Sequence, residues 1–284
     1  MLANLFKIAM FSTCVAVLLT HSSAQAENRF ITVASTTSTE SSGLFAWLLP
    51  KFTAWSKNEM QAKIDVRVVA VGTGAAIRHA RKGDADVLLV HHLPSEKKFV
   101  ADGFGVRRYP LMWNDFVLVG PVADPAAVSG MKDITKALAA IHSKKSLFVS
   151  RGDDSGTHKK EMQLWKAAKL EPQKQSGSWY REIGAGMGAA LNMAAAQNAY
   201  VISDRGTWLR YQNSKGLKIL SAGDARMVNP YGVILVNKKR HAHTKSALGQ
   251  TFIDWLLSND GQVAIGDYRI GGKVLFHPGV PPGS

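Results

Sequence analysis

Apolar and polar positions alternate with a clear rhythm along this chain. A short apolar run at 30–34 predicts a strand, and positions 35–43 that follow are small, polar or acidic, Ser-Thr-Thr-Ser-Thr-Glu-Ser-Ser-Gly. Leu44, Leu48, Phe52 and Trp55 then recur at helical spacing, with Pro50 inside the pattern as a kink signal. Residues 64–71 alternate as a strand, run into Gly72-Thr73-Gly74, and give way to a helix opening at Ala75. A buried-type strand is expected at 86–90. The same cycle restarts further on. Strands are expected at 115–120, 147–149, 200–203 and 231–236, and helices at 134–141, after 157, at 189–197 and at 251–257. Strand–loop–helix alternation of this kind predicts an α/β fold built on a mainly parallel sheet with helices on its faces. With no linker or low-complexity stretch between the cycles, any two lobes are expected to be joined by strands.

The first 26 residues read differently. Lys7 precedes an apolar core at 8–19, and Ala24-Gln25-Ala26 fits a small-x-small cleavage site. This predicts a secretory signal peptide, residues 1–26, cut after Ala26, and a periplasmic product. The apolar core is shorter than the roughly 20 residues a membrane-spanning helix needs. The single cysteine of the chain, Cys14, falls inside that segment, so neither a disulfide framework nor a cysteine-based metal or redox centre is expected.

Charge narrows the partners. Thirty-five Lys and Arg against 21 Asp and Glu give +14 over 284 residues. The basic residues lie in short, scattered clusters such as Lys97-Lys98, Arg107-Arg108 and Lys238-Lys239-Arg240. None interleaves with aromatics as a base-stacking groove does, so no nucleic-acid partner is expected. A solvated basic surface is the expected reading, with a field that draws in small anions as the alternative.

The candidate chemistry lies where strands hand over to helices. Three loops, Thr36-Thr37-Ser38, Gly72-Thr73-Gly74 and the stretch from Arg151 to Thr157, are rich in Gly, Ser and Thr. Helix N-termini present unpaired N–H groups and positive potential, glycine lets the backbone approach a ligand, and hydroxyls add donors without charge. Arg151 is the one fixed charge among the three loops and can grip a tetrahedral anion with two parallel hydrogen bonds. Each loop can equally be an ordinary helix cap. Asp153 or Asp154 is expected to cap the helix or to orient Arg151. Gly184 to Gly188 reads either as tight loop packing or as a nest of donors. His91-His92 reads as a surface pair rather than a metal site. No catalytic motif is present in the sequence, so no enzyme activity, cofactor or metal cation ligand is expected.

Thr-Thr-Ser-Thr (36–39), Val-Gly-Thr-Gly (71–74), Asn-Asp-Phe-Val-Leu-Val-Gly-Pro (114–121), Ser-Arg-Gly-Asp-Asp-Ser-Gly-Thr-His (150–158) and Asp-Arg-Gly-Thr (204–207) together resemble the tungstate-binding periplasmic proteins of ABC importers. The likeness runs in order from about residue 30 to 260. It implies a two-lobed, type II periplasmic binding protein-like fold with the ligand in the interlobe cleft. It places lobe one at residues 27–114 and 230–284, and lobe two at 115–229, with crossovers near 114–120 and 229–236. Ligand contacts carry over to Thr37, Ser38, Thr73, Arg151, Ser155 and Thr157, and secondarily to Thr36, Ser42, Gly156 and Arg205. The resemblance also implies a monomer that captures tungstate, with molybdate as a companion ligand, and delivers it to an inner-membrane permease. Three other readings stay open on the residues alone. These are a receptor for another tetrahedral oxyanion (molybdate, sulfate or phosphate), an exported hydrolase assembled from Ser155, His158 and an Asp, and a basic adhesion protein.

Overall fold

The structure is a computed structural model that describes residues 29–214 and 216–281. The signal peptide expected at 1–26, and Cys14 with it, lies outside the described residues. The first half of the fold begins with β1 (Arg29–Thr36), the one-turn helix α1 (Thr37–Ser41) and α2 (Leu44–Glu59). It continues through β2 (Ile64–Val71), α3 (Thr73–Lys82), β3 (Val87–Val90) and α4 (Leu93–Ala101). A 17-residue strand, β4 (Gly105–Pro121), leads into the second half. There follow α5 (Ile134–Ser143), β5 (Phe148–Ser150), α6 (Gly156–Ala167), β6 (Tyr180–Glu182), α7 (Met187–Gln197), β7 (Tyr200–Asp204), α8 (Arg205–Arg210) and β8 (Leu217–Ser221). The chain returns along β9 (Val228–Val236) to α9 (Ser246–Leu257) and α10 (Asn259–Gly266). It ends in the two-residue strands β10 (Arg269–Ile270), β11 (Lys273–Val274) and β12 (His277–Pro278).

The sheet order is β2-β1-β3-β9-β4-β7-β5-β6, with β8 and β12 also pairing on β4. The expected mainly parallel sheet is corrected here to a mixed one. The β1/β2, β1/β3, β5/β6 and β5/β7 pairs are parallel. The β3/β9, β4/β9, β4/β7 and β4/β8 pairs are antiparallel. The reason is topological: β4 carries the chain out of the first half and β9 carries it back, so both run against their neighbours. Asn114 pairs with Asn229 across these strands, and two residues later Phe116 pairs with Asp204 of the second half. The halves are thus joined by two strands, and both ends of the described chain lie in the first half, where β12 pairs with Trp113 and Met112.

Period-two alternation builds the cores. Val87 and Leu89 pack with Phe52, Phe252 and Trp255 on one face of the first half, while Leu88 and Val90 pack with Ala76, Ala80 and Phe99 on the other. In the second half Phe116, Leu118, Phe148 and Tyr200 meet Leu164 and Trp165, and Val117, Val119, Val149 and Val201 meet Leu191 and Ala194. Each fully buried large side chain contributes roughly 1.5–3 kcal/mol of transfer free energy. With helices covering both faces of each half, little but the strand ends is left to make a site.

Several elements extend the sequence reading. β4 begins ten residues before the expected strand, and α4 was not expected. Its start is marked by Pro94 in the first turn. The polar stretch 35–43 is not all loop, because Thr36 caps α1 by accepting from the Thr39 amide. α2 runs through Pro50 without ending there.

Candidate functional site

The carboxyl ends of β1, β2, β3 and β5 meet the N-termini of α1, α3 and α6 at the junction of the two halves. Arg151 follows β5 directly and is 2 % exposed. Asp153 Oδ2 accepts from its Nη2 at 2.5 Å, and Asp153 Oδ1 accepts from the Ser155 amide at 3.2 Å. Asp153 therefore fills the orienting role expected of one of the two acids. Asp154 is exposed and paired with Lys159. Arg151 keeps two buried nitrogens, Nε and Nη1, without a protein partner, and so do the buried hydroxyls Thr73 Oγ1 and Thr157 Oγ1. A buried donor without a partner costs about 1–3 kcal/mol, more when charged. Three such atoms on the 151–157 segment, with a fourth on Thr73 at the facing α3 N-terminus, mark a site built for an acceptor.

The two halves meet closely here. A Cβ placed on Gly156, the first residue of α6, would lie 3.0 Å from Thr73 Oγ1 and 2.8 Å from His91 Cε1. Only glycine permits that approach. Gln163 of α6 lies 3.1 Å from His92 Nε2, adding a contact between the halves. Two of the surrounding helices, α3 and α7, have Gly72 and Gly186 at the N-cap and no side-chain cap, so their first amides stay open. α6 is capped by Ser155, whose Oγ accepts from the His158 amide at 3.2 Å. That bond uses a lone pair and leaves the Ser155 O–H free to donate.

The other expected residues divide. Thr37 is half-buried and Ser38 buried on α1, at the same strand end. Thr36 is the α1 cap, with its Oγ1 also 2.8 Å from Thr39 Oγ1. Ser42 donates to Thr39 O at 2.6 Å and accepts from the Leu44 amide. Arg205 is committed elsewhere: its Nε and Nη2 donate to Asp115 Oδ1 and Oδ2 at 2.6 and 2.5 Å. Its neighbour Asp204 caps α8, accepting from Thr207 N and Oγ1 at 2.9 and 2.7 Å. So the structure gives the 204–207 turn a structural explanation, and the Nε/Nη2 edge of Arg205 is held by Asp115. The Gly184–Gly188 segment packs on the Arg151 loop, with the Ala185 amide donating to Arg151 O at 3.2 Å.

His91 is a correction to the sequence reading. Strand alternation favoured the surface, yet its ring is 4 % exposed and stacks on Tyr231 at 4.8 Å. Burial lowers its pKa to about 4, so it is neutral at pH 7. No group of three or more His, Cys, Asp or Glu is placed to hold a metal among the described residues. The hydrolase arrangement is not formed either: Ser155 Oγ meets the His158 backbone, and His158 Nδ1 accepts from the Asp154 amide at 3.2 Å. A cavity of about 820 Å³ lined by His142, Trp165 and Lys166 among others shares no residue with this cluster.

Two α/β halves joined by paired crossover strands, with a donor-rich cluster between them, define the class of two-lobed solute-binding proteins. The PBP superfamily domain matches residues 21–260. The tungstate-binding protein TupA of Peptoclostridium acidaminophilum is 44 % identical over 252 residues, covering 87 % of this chain and 85 % of that protein. The tungstate-binding protein TupA of Campylobacter jejuni is 37 % identical, covering 84 % and 87 %. The solved structure of the tungstate-binding protein TupA from Desulfovibrio alaskensis is 42 % identical. It superposes with a TM-score of 0.75 over 89 % of this chain and all of that one. The chain belongs to the TupA family within the PBP superfamily.

Proposed function

We propose that this protein captures tungstate in the periplasm and delivers it to an ABC permease of the inner membrane. The observation that carries the reading is the convergence of Arg151 Nε and Nη1, Thr73 Oγ1 and Thr157 Oγ1 as buried donors without protein partners. Tungstate at neutral pH is a dianion with no proton to give, so its site needs donors and no acceptor. Asp153, the acid next to the cluster, has its Oδ2 turned onto Arg151. Hydrogen phosphate, by contrast, gains from a carboxylate that accepts its proton.

On this reading the ligand contacts are Thr37, Ser38, Thr73, Arg151, Ser155 and Thr157. The close approach at Gly156 lets the α6 N-terminus join them. The lobes are residues 27–114 with 230–284, and residues 115–229. The protein acts as a monomeric receptor, without cofactor or catalytic step, and is exported by its first 26 residues. Charge-assisted hydrogen bonds contribute roughly 1.5–3 kcal/mol each. A half-dozen reach the roughly 12 kcal/mol of a nanomolar complex after ordering losses. Closing the lobes over the anion is a hinge motion, and the permease reads the closed form.

Calorimetric titration with tungstate, molybdate, sulfate and phosphate in turn tests this. Tight one-to-one tungstate binding with sulfate and phosphate silent is the expected result, and the molybdate isotherm sets the selectivity. Silence with all four reduces the donor loops to helix caps and removes the proposal.

A further inference from the structure

Asp154 is the acid of the Arg151 loop that the ligand reading leaves without a task. It is exposed and lies in the second half, on the loop that leads into α6. Its backbone is left-handed, with φ 57°, a conformation that Asp and Asn adopt more readily than most residues. The Asp154 amide donates to His158 Nδ1 at 3.2 Å and so ties the turn to α6. The two carboxylate oxygens face different halves of the molecule. Oδ1 accepts from Lys159 Nζ, five residues on in the same half. Oδ2 lies against Gly74, in the first turn of α3, so closely that a Cβ there would collide with it. Arg78 Nη1, one turn further along α3, lies 3.4 Å from that same Cβ position. Arg78 is exposed and makes no ion pair among the described residues.

The Asp154 backbone neighbour follows the same path, with Asp153 O 3.8 Å from the Cβ position of Gly72. The 153–154 segment of the second half therefore runs along the start of α3 in the first. The surroundings there favour a carboxylate. The first turn of α3 has no side-chain cap, its dipole end is positive, and Arg78 adds a full charge. The ligand itself does not favour one. An acid beside a site for a dianion repels what the site must hold, so its place at the rim calls for a compensating contact. A contact made between the halves supplies it. Such a contact is strongest when the halves are together, and it then adds to affinity without touching the ligand.

We propose that Asp154 is a positioning residue for capture, a latch that holds the halves closed by bringing Oδ2 against Arg78 and the first turn of α3. The inference rests on the tungstate reading above. It gives the second acid of the loop a part distinct from that of Asp153, which orients Arg151 within one half.

A double-mutant cycle tests it, by tungstate calorimetry on the wild type, Asp154→Asn, Arg78→Gln and the double variant. Asn keeps the shape of the side chain and tolerates the left-handed backbone, so the change is one of charge. The direct field of each charge on the ligand is the same with or without the other and cancels in the cycle. What remains is the contact between them in the closed form. The expected coupling is at least twofold and up to about fivefold in affinity, as for a solvent-exposed ion pair. No tungstate binding by the wild type overturns the ligand reading and this inference with it. Wild-type binding with a coupling below twofold overturns this inference alone and leaves Asp154 as the partner of Lys159 only.

Discussion

Two arginines of the second half, Arg151 and Arg205, sit where a strand hands over to a helix, each close to an aspartate and each followed by a glycine. Arg205 is half-buried, and a bidentate Asp115 on β4 takes the Nε and Nη2 donors of one edge. Arg151 is buried almost completely, and Asp153 holds a single nitrogen of it, leaving Nε and Nη1 unpaired. A paired guanidinium is a brace between a strand and a helix. A guanidinium that is buried and mostly unpaired is tolerable only where another anion completes it. The distinction between brace and ligand grip is therefore the number of spare donors, not the residue type or the motif.

The strongest way to break the comparison is Arg151→Ala. Two charge-assisted hydrogen bonds are lost, about 3 kcal/mol or more, which corresponds to at least a hundredfold in tungstate affinity. Calorimetry on the folded variant checks this, and affinity within a few-fold of wild type would show that Arg151 is a brace too.

The next effect is on stability and concerns the carboxyl beneath the Arg151 loop. Glu161 lies beside Ser150, with its Oε1 accepting from Tyr180 OH at 2.7 Å and Trp165 Nε1 at 3.2 Å. Burial pushes it up to about 8 from 4.5. It is therefore largely protonated at pH 7 and adds no counter-charge, unlike Asp115 under Arg205. The folded state then holds a proton that the unfolded chain releases above 4.5, so the stabilisation is full below that pH and is lost as pH rises through 8. Melting temperatures measured from pH 5 to 9 should fall by an amount equivalent to about 4 kcal/mol, roughly 8–16 °C. Glu161→Gln should flatten that slope. An unchanged slope would mean that Glu161 is ionised in the fold.

Gly156→Ala tests the close approach instead of the charge. The added methyl meets His91 and Thr73 across the junction of the halves, so it opposes closure while leaving Arg151 in place. A loss of about tenfold in affinity, about 1.4 kcal/mol, with little change in melting temperature is the expected outcome.

Much of this was legible in the sequence, and the gaps have physical causes. Thr73, Arg151, Ser155 and Thr157 could be picked out because strand–glycine–helix junctions are local and the chain advertises them. The first ten residues of β4 were hidden by Arg107, Arg108 and Pro110, which break apolar alternation although the strand pairs with β9 there. Asp115 as the partner of Arg205 lies 90 positions away, a distance at which no local pattern speaks. His91 was misplaced because alternation was continued one residue beyond β3, which ends at Val90. What buries the ring is Tyr231 and Asn229 from β9, the returning strand. The parallel-sheet expectation failed for the same reason: strand direction depends on where a distant segment returns.

Arg205→Ala completes the comparison with the smallest expected change in binding. Removing the fork leaves Asp115 without its partner, and the pair is only about a quarter exposed. Stability should drop by about 1–2 kcal/mol, less than for a fully buried pair. Tungstate affinity of the folded variant should stay within about threefold, because Asp115 already holds the Nε and Nη2 donors of Arg205. Chemical denaturation and calorimetry on the same sample separate the two quantities. If affinity instead falls as steeply as for Arg151→Ala, the Asp115 pair opens when ligand binds. A guanidinium that is paired in this structure would then belong to the site after all, and counting spare donors in one conformation would be an insufficient criterion.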